Sequence, residues 1–441
     1  MTEVTLAQIL VSRENRVKWQ SAMLKKHNCP LVCFTMNIAG PVKNTPLIQR
    51  GFQAGMTQLE KALPKGRILE RFVDVADTGN TAIYAVNMGA EELKQICVCI
   101  EDATSLGRLF DMDVIGTDEK KLDRANQRGC IVCGAPGRAC AAGRVHAVAE
   151  LQSVTRQILR NYLQEADQAY IASMAVKSLI DEVNTTPKPG LVDSRNNGSH
   201  TDMSLSHFIA SANALGPYFK ECVKIGQQTA GQLPQDTFLH LRQAGLEAEQ
   251  SMLRATGGVN THKGVIYTLG VLCGCLGRLW SEDAPLADLT AVAKECRKMV
   301  ADSVASDFSK SEPVTAGMKL YLQHGIGGIR AEVAAGLPSV IHNALPFYKQ
   351  SLADGLSPND AGVLTLLHLI TQVEDTNLYH RGGIHGATWA ADTVKALLHV
   401  TPHPSMEQIE LLDDAFIQRN LSPGGCADLL AVTYFLHNLY S

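Results

Sequence analysis

Near Leu151 the spacing of apolar residues changes from every second position to the 3.6-residue period of a helix, and one layer of structure cannot satisfy both patterns. Two domains of different class follow. Upstream, residues 31–36, 71–75, 82–86, 95–100 and 108–114 alternate apolar with polar side chains and are expected as strands, with a helix over 50–63 between the first two. Downstream, Tyr170, Met174, Ile180 and Val183 fall on one helical face, and helical segments continue almost to the last residue. The expected fold is an N-terminal α/β domain with a mixed sheet, residues 1–165, followed by a larger all-α domain, residues 166–441. Their boundary falls in the polar stretch 164–168, unless a continuous helix links them. A chain of 441 residues is long enough for two cores.

The balance of residue types narrows the function. Hydrophobic content of 45% and charged content of 19% describe a globular protein, and a net charge of −4 argues against a nucleic-acid partner. A basic pocket for a nucleotide stays open. Residues 1–10 lack the basic and apolar regions of a signal peptide, and the apolar run 265–276 is too short to span a bilayer. No membrane partner is expected. Twelve cysteines in such a chain point to free thiols or metal ligands in a reducing, cytoplasmic location.

Three clusters carry chemistry. Gly257-Gly258-Val259-Asn260-Thr261-His262-Lys263-Gly264, leading into the apolar run, offers a close-approaching backbone, side-chain donors and a helix N-terminus. That is a phosphate seat, although not a Walker A loop. Asp111 and Asp113, two apart on a strand, point to one face and can hold Mg²⁺ during transfer from a polyphosphate. Arg108, Arg13, Arg16 and Lys43 are candidates for an accompanying anion clamp. Cys130, Cys133, Cys140 and His146 have the ligand types of a structural Zn²⁺ site, the alternative being a thiol-rich connection without metal.

These residues also carry a resemblance. The stretch 10–16, Gly40-Pro41-Val42-Lys43, the stretch 107–114 and the Cys130 to His146 run resemble apo-citrate lyase phosphoribosyl-dephospho-CoA transferase over roughly residues 1–165. The stretches 186–193, 257–264, 325–332, 374–377, 381–383 and 422–430 resemble triphosphoribosyl-dephospho-CoA synthase over roughly residues 170–441. The resemblance implies two successive steps on one chain. ATP and 3′-dephospho-CoA would give 2′-(5″-triphosphoribosyl)-3′-dephospho-CoA and adenine. The phosphoribosyl-dephospho-CoA group would then pass to a serine of the citrate lyase acyl carrier protein, releasing pyrophosphate.

The implied glycosyl chemistry needs a carboxylate near the sugar and a seat for a triphosphate. Asp193 and Asp375 are the candidates for general base or Mg²⁺ ligand, with Glu332 and Glu374 as second choices. Lys188, Gly258, His262, Lys263, Arg330 and Arg381 are candidates for the triphosphate, and Gly424 and Gly425, opening the last helix, for the same purpose. Two alternatives remain at this level: the equivalent pathway of malonate decarboxylase, and a zinc-containing scaffold that binds a nucleotide without turnover.

Overall fold

The computed structural model describes residues 2–308 and 316–441. The chain divides into two compact units, Met1–Ala166 and Asp167–Ser441. Unit 1 runs α1 (Leu6–His27), β1 (Leu31–Met36), α2 (Pro46–Ala62), β2 (Ile68–Asp74), β3 (Thr81–Val86), α3 (Ala90–Ala103), β4 (Phe110–Ile115), α4 (Gly137–Ala142) and the first half of α5 (Val148–Asn184).

The four strands form a sheet in the order β2-β3-β1-β4, antiparallel at every pairing. This differs from the mixed sheet expected. β3 and β4 run the same way, but β1 lies between them and opposes both, so no parallel ladder forms. Val32, Phe34, Tyr84, Met112 and Val114 bury one face in a core shared with α2, α3 and α5, while Leu31, Cys33, Ile83, Ala85 and Ile115 bury the other against Met23 and Leu24 of α1. Buried on both sides, β3 is buried at every position.

Residues 95–100, expected as a strand, lie inside α3. Leu93, Cys97 and Ile100, spaced by four and three, make the buried stripe, and Glu91 and Glu92 in the first turn suit the helix dipole. That helix closes the open edge of β4. Glu101 accepts from the Met112 amide at 2.8 Å, Lys94 donates to the Met112 carbonyl at 3.3 Å, and Arg128 donates to the Phe110 carbonyl at 2.5 Å. Edge groups are thereby satisfied without a fifth strand.

Unit 2 takes the second half of α5 and continues α6 (Leu205–Ala214), α7 (Gly216–Gln228), α8 (Pro234–Ala255), α9 (Lys263–Leu279), α10 (Leu289–Phe308), α11 (Ala316–His324), α12 (Gly328–Ala334), α13 (Leu345–Ala353), α14 (Pro358–Gln372), α15 (Thr376–Val400), α16 (Met406–Gln418) and α17 (Gly424–Leu439). It has no strand among the described residues, as the period change implies. No helix there or in unit 1 is long and apolar enough to cross a membrane, again among the described residues. The run expected to lead away from the glycine-rich turn is α9, buried almost all round.

Glycine sets how closely α9 meets its neighbour α7. A Cβ on Gly226 would lie 2.1 Å from the Gly274 carbonyl oxygen, and one on Gly277 would lie 2.1 Å from that of Val223. Backbone therefore meets backbone. Gly270 leaves room for the Tyr218 ring, whose hydroxyl donates to the Ile266 carbonyl at 2.9 Å. At the other end of the unit, α17 begins at Gly424 with Pro423 in the cap position. Ser422, just before that cap, has its hydroxyl 2.9 Å from His200 Nε2.

Candidate active sites

Unit 1 contains a cavity of about 1070 Å³ beside β4, lined by Asp111, Asp113, Glu101 and Asp123 and by Lys94, Arg108, Lys121, Arg124, Arg128, Arg138 and Arg144. Cations outnumber carboxylates, so the cavity suits a polyanion. Asp111 and Asp113 stand opposite Thr35 and Cys33 in the ladder, which puts both on the α1 side of the sheet. Asp113 is held 2.5 Å from Lys121 Nζ. Asp111 has no hydrogen-bond partner among the described residues, and desolvation by the cavity walls, then the charge of Asp113, raises its carboxyl above the usual range.

Of the expected anion clamp, Arg108 lines this cavity, donating to the Gly129 carbonyl at 2.6 Å. Arg13, Arg16 and Lys43 are not among its lining residues. Lys43 Nζ is spent on the Ile38 carbonyl at 2.5 Å, and its charge is disfavoured by burial and then by Arg13. The cavity takes its further cations from α3 and from the stretch 121–144, the signal for which is the mixed-charge tract Lys120-Lys121-Leu122-Asp123-Arg124 just after the Asp-x-Asp strand.

Cys130, Cys133, Cys140 and His146 come together at the rim, their ligand atoms all within 4.8 Å of one another. Tetrahedral zinc with thiolate ligands needs such atoms about 3.5–4 Å apart, which a small closure supplies. The amides of Cys133 and Val132 bring the Cys130 thiol down to about 7, whereas burial and then the neighbouring thiols push Cys140 up to about 12. His146 Nδ1 is 3.1 Å from Glu150 Oε2, while its Nε2 is buried without a hydrogen-bond partner among the described residues. A carboxylate on one ring nitrogen and a vacant second nitrogen is the arrangement of a metal-ligating histidine.

In unit 2 a second cavity, of about 370 Å³, lies where α9, α15 and α17 begin, with Asn260, Thr261, Thr376, Asn377, Gly424 and Gly425 in its wall. Three positive helix ends face one space. Lys188, His262, Lys263, Gly264 and Arg381 line it too, so widely separated sequence blocks meet.

Their charges are not equally available. The Lys263 side chain is 59% exposed, and its Nζ is paired with Glu249 at 2.9 Å. Lys188, 1% exposed, donates to the Glu182 carbonyl at 2.8 Å and to the Glu182 carboxylate. Arg381 donates to the Ser199 carbonyl at 2.7 Å and lies 3.1 Å from His200 Nδ1. Burial, then the charge of Lys188, holds the His262 imidazole down to about 3, so the ring is neutral at ordinary pH. Its Nδ1 meets Ser211 Oγ at 2.7 Å and its Nε2 has no partner among the described residues.

Gly258 and Arg330 are not among the lining residues. Gly258, at φ +97°, closes α8 with its amide on the Leu253 carbonyl at 2.7 Å, and the Arg330 guanidinium lies 5.9 Å from the Tyr267 ring centroid. Asp193 and Asp375 are likewise absent from the wall. Asp193 accepts from the amides of Lys188, Arg195 and Asn196 at 2.8, 2.7 and 3.1 Å. Asp375 caps α15 through Asn377 at 2.8 Å and accepts from the Cys426 amide of α17 at 2.8 Å. Both carboxylates are thus consumed in shaping the loops that frame the cavity. Glu332 is similarly bound to the amide and hydroxyl of Ser339, at 2.7 and 3.1 Å, and Glu374 is exposed.

The carboxylates that do line this cavity are Glu182 and Asp428. Each interrupts an apolar helical face, Glu182 beside Val183 and Asp428 inside Ala427-Asp428-Leu429-Leu430, which is the signal that could have singled them out.

Comparison with known proteins agrees with this division. Residues 168–441 match the family of ATP:dephospho-CoA triphosphoribosyl transferase, CitG, and residues 4–162 match that of apo-citrate lyase phosphoribosyl-dephospho-CoA transferase, CitX. The chain is similar to the protein CitXG of Leuconostoc mesenteroides subsp. cremoris, 32% identical over 99% of this chain and 97% of the relative. CitXG of Haemophilus influenzae is 31% identical over 98% and 96%. The 2-(5″-triphosphoribosyl)-3′-dephosphocoenzyme-A synthase of Klebsiella pneumoniae is 39% identical over 60% of this chain and 89% of its own length. With both matches in order along one chain, the protein belongs to the CitXG family of fused transferases that mature the prosthetic group of citrate lyase.

Proposed function

We propose that residues 166–441 join ATP to 3′-dephospho-CoA with release of adenine. Residues 1–165 then transfer the phosphoribosyl-dephospho-CoA group to a serine of the citrate lyase acyl carrier protein with release of pyrophosphate. The observation that carries the first step is the convergence of three helix N-termini and Arg381 on one cavity, a seat for the triphosphate retained in the product. The neutral His262 ring, with Nε2 free, adds a hydrogen bond without adding charge.

For the second step, the basic walls beside β4 hold the triphosphate, and Asp111 accepts the serine proton. The serine oxygen bonds to the α-phosphorus as the bond to pyrophosphate breaks. Asp111 and Asp113 on one strand face fit a Mg²⁺ ion, since that ion is held by one or two carboxylates together with phosphate oxygens. Bound there, it would neutralise the departing pyrophosphate. The twelve cysteines include Cys275 and Cys296, unlinked at 3.4 Å, in keeping with a reducing cytoplasm.

Incubation of the purified chain with ATP, Mg²⁺ and dephospho-CoA should liberate adenine, and later addition of the apo carrier protein should liberate pyrophosphate. ADP or AMP in place of adenine would contradict the first step. Independently, elemental analysis should find about one zinc per chain at the Cys130, Cys133, Cys140 and His146 cluster, lost in Cys133→Ser. Zinc-free protein with full carrier-modifying activity would remove the metal from the account.

A further inference from the structure

The synthase reaction needs a group to accept the proton of the attacking hydroxyl, and both motif aspartates, Asp193 and Asp375, are closed off by backbone amides. Two carboxylates remain in the cavity wall. Glu182 is occupied by Lys188. Asp428 has no hydrogen-bond or ion-pair partner among the described residues, although it sits one turn inside α17, between the beginnings of α9 and α17. Its position depends on a glycine: a Cβ on Gly264, the second residue of α9, would lie 1.9 Å from Asp428 Oδ2.

We infer that Asp428 is the catalytic base of the synthase step, an assignment that rests on the function proposed above for the second unit. Its uncommitted oxygen lies beside the helix end that seats the triphosphate, within the cavity that would hold the ribose of the same ATP. As the 2′-hydroxyl oxygen of dephospho-CoA bonds to the ribose C1′, Asp428 takes the hydroxyl proton. The C1′–N9 bond breaks with its electron pair on adenine, adenine takes a proton from water, and Asp428 returns its proton to water. Burial, then the charges of Asp375 and Glu182, raises the Asp428 carboxyl well above the usual range.

Asp428→Asn keeps the size of the side chain and removes the base. Adenine release should fall in kcat by about 10²–10⁴-fold while the dissociation constant for ATP stays within about threefold. Gly264→Ala, which pushes the carboxylate aside, should lower kcat in the same direction. In the Asp428→Ala variant, added formate should restore part of the rate. Asp428→Asn with more than about a tenth of the wild-type kcat would overturn the assignment, as would a loss expressed in ATP affinity at unchanged kcat. A wild-type chain that releases no adenine would instead sink the synthase reading itself, so the two failures are told apart.

Discussion

Replacing Lys188 by methionine is expected to destabilise the second unit by about 3–5 kcal/mol, because it strands a buried carboxylate. Lys188 is 1% exposed, and its ammonium meets both the carbonyl and the carboxylate of Glu182, which is itself 5% exposed. Burial already raises the Glu182 carboxyl, with the charge of Lys188 opposing that shift. Without Lys188 the glutamate has no counter-charge and takes up a proton. The thermal transition of unit 2 should therefore drop by on the order of 10 °C. Glu182→Gln combined with Lys188→Met should recover most of that loss, since the double variant leaves no unpaired charge. A single variant melting with the wild type would show that the pair contributes nothing to the fold.

Asp111→Asn should lower carrier-protein modification by about 10²-fold or more when the triphosphoribosyl donor is supplied, and leave adenine release unchanged. The asymmetry between the two aspartates makes the test sharp. Asp113 is engaged by Lys121 at 2.5 Å, whereas Asp111 is free to meet the serine hydroxyl or a metal ion. Asp113→Asn is accordingly the milder change. The sign of the pH dependence follows from the raised Asp111 carboxyl, which faces Asp113 on its own strand, Lys121 and Arg128 from the following loop, and Lys94 from α3. Activity needs the carboxylate, so it falls as pH drops through that raised value. In Asp111→Asn the fall should vanish from the residual rate. Equal loss of both activities would contradict separate sites.

The period change near Leu151 was enough to separate a sheet-bearing part from a helical one, because burial on one side of a strand and on one side of a helix leave different repeats. It was not enough for α3. Over six residues the alternation of Ile96, Val98 and Ile100 mimics a strand, and only the longer spacing through Leu93 and Cys97 reveals the helix. The cysteine cluster was legible since its ligands lie close in sequence and its types are distinctive. The placement of Asp193 and Asp375 was not, because an aspartate that accepts backbone amides and one that lines a cavity look alike in a motif. What separates them is whether the carboxylate oxygens are already filled. Arg13, Arg16 and Lys43 show the same limit, for charge type gives no direction in space.

The glycine contacts between α7 and α9 bear on how the second unit can respond to its substrate. With carbonyls at Gly274 and Val223 against bare Cα atoms, there are no intervening rotamers to rearrange, and the helix pair moves as one stiff piece. A polyanion bound at the head of α9, as proposed, would therefore meet an anchored electrostatic wall, whose field is oriented before binding and loses little to recoil. Gly226 and Gly277 should accordingly tolerate almost no replacement.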